Sequence, residues 1–165
     1  MTAQDVIQLI ERAFDGVARG DGITLHEAVV IDDHASDEER TRARSQGTES
    51  RWQDVPDGVI EREYTIFSFL NDTGFRYDLP AYMIWALRNV ERTQSVSLDS
   101  TVYALEPSSY FPQRSGLFNH AQARAILHFL GWIVQTDAFR DDRAALEAWA
   151  HWTQVCEAFT SAGAA

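Results

Sequence analysis

The densest set of residues able to do chemistry is His26, Glu27, Asp32, Asp33 and His34. A zinc protease needs His-Glu-x-x-His, which sets both histidines one helical turn apart so that they share an ion. Here position 30 is Val30, and the second histidine arrives only at His34. That separation is about 12 Å along a helix axis at ~1.5 Å per residue, too far for one tetrahedral metal. Gly16, Gly20 and Gly22 do not have the spacing of a phosphate-cradling loop, and no serine stands in a Gly-x-Ser-x-Gly elbow. His120, His128 and His151 read as structural histidines, and Cys156 on an apolar stripe reads as a buried, inert thiol. The expectation is no metal, nucleotide, flavin or other cofactor.

Asp32 is the exception among these polar residues. It continues the inward stripe of Leu25, Ala28 and Val29, where an acid needs a partner. Arg76, flanked by Phe75 and Tyr77, is the leading candidate, so a buried Asp32–Arg76 ion pair is expected. With Asp72 these residues also form the one carboxylate and arginine constellation that would suit an enzyme of unrecognised class.

The elements that must carry these groups read as helices. Val6, Leu9, Ile10, Ala13, Phe14 and Val17 repeat with helical spacing behind a Thr2 cap. Thr24 and Glu27 form a capping box that opens a helix running toward Arg44, with acids early and arginines late. Ile60, Tyr64, Phe67 and Leu70 share a helical stripe, although Tyr64 to Leu70 is also rich in β-formers. Asn71 to Gly74 reads as a turn. Asp78 then caps a helix with Pro80 in its first turn, where a missing amide is tolerated. Ala81 to Leu87 is apolar on every face and belongs at the centre of a domain. Leu98 to Leu105 is ambiguous. Asn119 with Gln122 opens a further helix, and a last one follows Asp141, with Leu146, Trp149, Thr153, Cys156 and Phe159 on one side. Trp85, Trp132 and Trp149 read as core.

The fold class is therefore mainly α: a compact bundle of six or seven helices around a central apolar helix, with at most one short β-hairpin near Phe67 and Tyr77. Residues 1–165 read as one domain with a frayed tail at 160–165. In the connection between Glu106 and Phe118, the aromatics Tyr110, Phe111 and Phe118 either fold back onto the core or anchor a partner.

The run Ser68-Phe69-Leu70, Gly74-Phe75-Arg76-Tyr77 and Leu79-Pro80-Ala81-Tyr82-Met83 resembles the signature of a bacterial family, domain of unknown function 6714. Trp52 and the Gln122-to-Leu130 helix are similar too, so the likeness spans roughly residues 5 to 135. The resemblance implies a coherent domain and lends no activity and no site. It also implies an aromatic or otherwise bulky residue at the position held by Asp78.

Charge narrows the function classes. Acids outnumber bases 25 to 14, for a formal charge of −11. Such a chain repels nucleic acid and anionic membranes. All fourteen bases are arginine, which reads as a coding bias of a GC-rich bacterium. One cysteine, no basic leader and no apolar run near the ~20 residues of a membrane span point to the cytoplasm. The expectation is a non-catalytic partner-binding protein, immunity- or antitoxin-like, that meets a basic protein through Asp33, Asp37, Glu38, Asp57 and Glu61. The alternative is the enzyme built around Asp32, Asp72 and Arg76. Oligomeric state has no signal in the sequence.

Overall fold

The structure is a computed structural model that describes residues 1–107 and 114–162, the side chain of residue 162 aside. It is mainly helical, and the described residues contain no strand. The helices are α1 (Ala3–Ala13), α2 (Leu25–Asp32), α3 (Asp37–Arg44), α4 (Asp57–Arg62), α5 (Asp72–Asn89), α6 (Val96–Tyr103), α7 (His120–Ile133) and α8 (Arg143–Ala162). Short 3-10 turns lie at Trp52–Asp54, Ile66–Ser68 and Arg114–Leu117. The segment Tyr64 to Leu70 is thus neither a continuous helix nor a strand, and the allowance for a hairpin is not used among the described residues.

Helix α5 is the axis of the molecule. It packs against α1, α4, α6 and α7, which is why Ala81 to Leu87 is apolar all round. It starts earlier than the sequence suggested. Asn71, read as part of a turn, is the true N-cap: its side chain accepts from the Gly74 amide at 3.0 Å. The same oxygen accepts from the Ile23 amide at 2.9 Å and ties the Gly20–Asp21 turn to the helix start. Gly22 and Gly74 make this crossing possible, since a Cβ on Gly74 would lie 2.5 Å from the Ile23 carbonyl oxygen. Asp78 is consequently no cap. It lies inside the helix and is 1% exposed, with Pro80 two residues beyond in the helix interior.

The single long helix expected from Thr24 to Arg44 is two. After Asp33, His34 takes a left-handed conformation at φ +59°. The Ala35 amide reaches back to the Val30 carbonyl and the His34 amide to that of Ile31, a Schellman closure with histidine in the usual glycine position. Ser36 then caps α3 in a second capping box with Glu39. That Ser-x-x-Glu signal is present in the sequence and outweighs the apparent continuity of acids before arginines. The split also raises the count to eight helices among the described residues.

The last helix is rotated relative to expectation. Its buried positions include Ala145, Ala148, Trp152 and Cys156, whereas Leu146 and Trp149 are 39% and 41% exposed. Alanines at the contact let α8 approach α7 closely, and Trp149 lies across the outside of Gly131. α8 is helical through Ala162, and the rest of the tail expected to fray, residues 163–165, lies outside the described residues. Trp85 is buried and Trp132 partly so, as read. Phe118 folds onto the core, edge-on to Phe14, Phe75 and Trp152. Tyr110 and Phe111 lie outside the described residues.

Candidate binding face: two grooves on one ridge

One face is organised by the exit from α4. The last carbonyls of a helix need donors. Ile60 O receives the Ser97 hydroxyl at 2.6 Å, Glu61 O the Ser95 hydroxyl at 2.8 Å, and Glu63 O the Tyr82 hydroxyl at 2.8 Å. These bonds dock the start of α6 and the centre of α5 onto the 60–63 backbone. The following residues are then held as a ridge, with the Thr65 hydroxyl donating to Asp32 Oδ2 at 3.1 Å.

On one side of the ridge lies a cleft of about 830 Å³, within the ~300–1,000 Å³ range of small-ligand sites. Phe67 and Phe69 line it from the ridge segment. Val96, Ser100 and Tyr103, spaced as one stripe of α6, line it opposite. Asp32, Glu106 and Arg114 are its charged residues. Arg114 is 8% exposed, donates to the carbonyls of Phe67 and Leu70 at 2.9 and 3.2 Å, and stacks over the Phe75 ring at 4.1 Å. Burial pulls its pKa down to about 10, with Asp72 opposing the shift. Burial pushes the Glu106 carboxyl up, and Glu147 and Asp142 push it the same way.

On the other side lies a groove of about 490 Å³ between α2, α3 and α4. Its apolar residues include Leu25, Val29, Ala43 and Val59. Its polar ones include His26, Asp33, His34, Arg42, Arg62 and Glu63. Neighbours in sequence therefore face different grooves: Asp32 and Tyr64 the cleft, Asp33 and Glu63 the groove.

The expected acidic residues Asp33, Asp37, Glu38, Asp57 and Glu61 are all exposed. Of the five, only Asp37 has an ion pair among the described residues, to Arg40 at 3.8 Å. Glu27 behaves differently. Its carboxylate is 8% exposed and gathers Arg44 at 2.8 Å, Arg40 at 3.4 Å and the Thr24 amide at 3.4 Å, which joins α2 to α3.

The Asp32–Arg76 pair does not form. Arg76 is half-buried and donates to Gln122 Oε1 at 3.3 Å, while Asp32 accepts from Thr65. Asp72 is exposed in the first turn of α5. The structure brings Asp32 together with Glu106 and Arg114 instead. The sequence carried no signal for Arg114: it follows an irregular connection, and the Phe67 and Leu70 carbonyls to which it donates stand 47 and 44 residues away.

The deeply buried acid is Asp78. One of its oxygens has no hydrogen-bond partner, and burial holds its carboxyl well above the usual range. Cys156 is buried, as expected, and burial raises its thiol.

A family model of unknown function matches residues 2–156. The chain is a member of the DUF6714 family. No curated protein and no solved structure matches it. The DUF6714 match spans α1 through most of α8. No helix among the described residues is long and apolar enough to cross a membrane.

Proposed function

We propose that this DUF6714 protein is a non-catalytic partner-binding module that receives a basic protein on the face carried by α3 and α4. The observation behind this reading is that Asp33, Asp37, Glu38, Asp57 and Glu61 are all exposed on the elements bordering one groove, which Arg42 and Arg62 also line, and that of the five only Asp37 has an ion pair among the described residues. Fields from such acids add and steer a cationic surface toward one side of the molecule. A cytoplasmic, bacterial setting and an immunity- or antitoxin-like role against a basic effector belong to the same proposal. The test is capture of partners at low and high salt. Binding at ~10 mM salt, where the Debye length is about 30 Å, should weaken by ~0.5 M. Reversing Asp33, Asp37 and Glu38 to arginine should slow association. Unchanged association in that variant removes this face from the proposal.

A second reading, an enzyme, is favoured by one feature: the cleft holds Asp32, Arg114 and a Glu106 carboxyl raised by burial. Turnover of a small substrate that disappears in both Asp32→Asn and Glu106→Gln would establish it. Turnover that survives both substitutions would dismiss it.

A further inference from the structure

Half of the large apolar side chains exposed among the described residues gather at one place. The large hydrophobic side chains that stand exposed among the described residues are Met1, Tyr64, Val96, Tyr103, Leu146 and Trp149, and three of these line the cleft beside the ridge. Tyr64 is 44% exposed, Val96 50% and Tyr103 45%. Isolated exposed apolar residues need no explanation, but a set of them around a concave apolar floor marks a contact site.

Charge says what kind of partner fits. Tyr103 is surrounded by acids: its hydroxyl donates to Asp142 at 3.4 Å, and Asp99 and Glu106 lie close enough to raise its pKa further, after burial and Asp142. Asp32 stands on the opposite wall. Among the described residues Arg114 is the one cation lining the cleft, and it packs against the Phe67 and Leu70 carbonyls and the Phe75 ring, so its charge is turned inward. An anionic or purely polar ligand gains little here. A chain segment with one apolar or aromatic side chain, flanked by arginine or lysine, satisfies both the Phe67 and Phe69 floor and the acid rim.

We infer that the cleft between the 64–69 segment and α6 is the anchor pocket of the partner site, and that it seats an apolar side chain of a basic peptide segment. The flanking cations then cross the Thr65–Asp32 ridge toward the acids of α3 and α4, because Asp32 and Asp33 open onto the two grooves from one helix end. This rests on the basic-partner reading above and adds where the partner's apolar contact is made. Steering by the α3 and α4 acids governs association, and the cleft governs how long the complex lasts.

The probe is a short synthetic peptide of alternating arginine and alanine with one central tryptophan, labelled with a fluorophore and titrated against the full chain by anisotropy at ~20 mM salt. Replacing its tryptophan by alanine should weaken binding by about tenfold or more. The protein variants Tyr103→Ala and Val96→Ser should weaken the tryptophan peptide to a similar degree and leave the alanine peptide unchanged. Both side chains are about half exposed, so the variants keep their helical circular dichroism. If the two peptides bind alike, if the cleft variants bind the tryptophan peptide as the wild type does, or if no anisotropy change occurs, the inference is overturned. Reversal of Asp33, Asp37 and Glu38 separates the two proposals. Slower association in that variant with no effect from the cleft variants keeps the acidic face and removes the cleft. Weakening by the cleft variants with no effect from the reversal supports the cleft and removes the acidic face.

Discussion

Asp78 carries a carboxyl group into the centre of the helix around which everything else packs. Arg19 and Glu49 act on it from the loops outside, Tyr82 lies near it on α5, and none of them gives its Oδ2 a hydrogen bond. Because burial raises the folded-state pKa above that of the unfolded chain, the folded state holds the proton longer. The associated stability is fully present below the ordinary carboxylate pKa and is lost as pH rises through the folded value. Asp78→Leu, an apolar residue of similar size, should therefore gain on the wild type steadily as pH is raised from ~4. At neutral pH the variant should be more stable by about 1–3 kcal/mol, the cost of leaving a buried polar group unsatisfied. Urea unfolding of both proteins across that range is the check, and a constant gap at all pH values would contradict the account. Glu27 is the opposite case, a buried acid with its partners in place. Glu27→Ala strands Arg40 and Arg44, yet both are about two-fifths exposed. The expected loss is about 2 kcal/mol, under the ~3–5 kcal/mol of a fully buried pair. Arg76→Ala breaks, among the described residues, a bond to Gln122 and should cost about 1 kcal/mol, a ranking that thermal unfolding of the two variants decides.

Among the elements, α3 is the one with least tertiary support. Its sequence is almost wholly polar and only Ala43 is buried, so its stability comes from its caps and from Glu27. Ser36→Ala should remove about 1 kcal/mol and speed amide hydrogen exchange in α3 before any other helix. His34→Gly should act in the other direction, by about 0.5–1 kcal/mol, because glycine adopts the left-handed conformation that histidine holds at a cost. A destabilised His34→Gly protein would mean that the ring's contact with the Asp32 carbonyl outweighs the backbone strain. At the start of α5 the argument is steric. Gly74→Ala would press a methyl group against the Ile23 carbonyl where two backbones cross, and a loss of about 1–3 kcal/mol in chemical unfolding is expected.

For the whole molecule, a formal charge of −11 makes stability as well as binding depend on salt. Raising salt from ~10 mM to ~0.5 M should increase the unfolding midpoint while weakening any basic partner, and a midpoint that falls would show that ion pairs outweigh self-repulsion. Local features can be read from neighbouring residues. Helix starts at Thr2, Thr24 and Asn119 are legible because a cap and its partner lie three residues apart. The central place of Ala81 to Leu87 is legible because no charged residue interrupts it. Contacts between residues far apart in the chain follow from packing. Thr65 takes Asp32 across 33 residues, and Arg114 takes the Phe67 carbonyl across 47. Either arginine, 76 or 114, could have met Asp32 on grounds of charge alone. The choice depended on the carbonyls that the 66–68 turn left open and on a ring, Phe75, in the right place to cover a guanidinium. Hydrogen-bond demand at element ends and the volume left between packed helices are properties of the assembled chain, and the cleft is made from them.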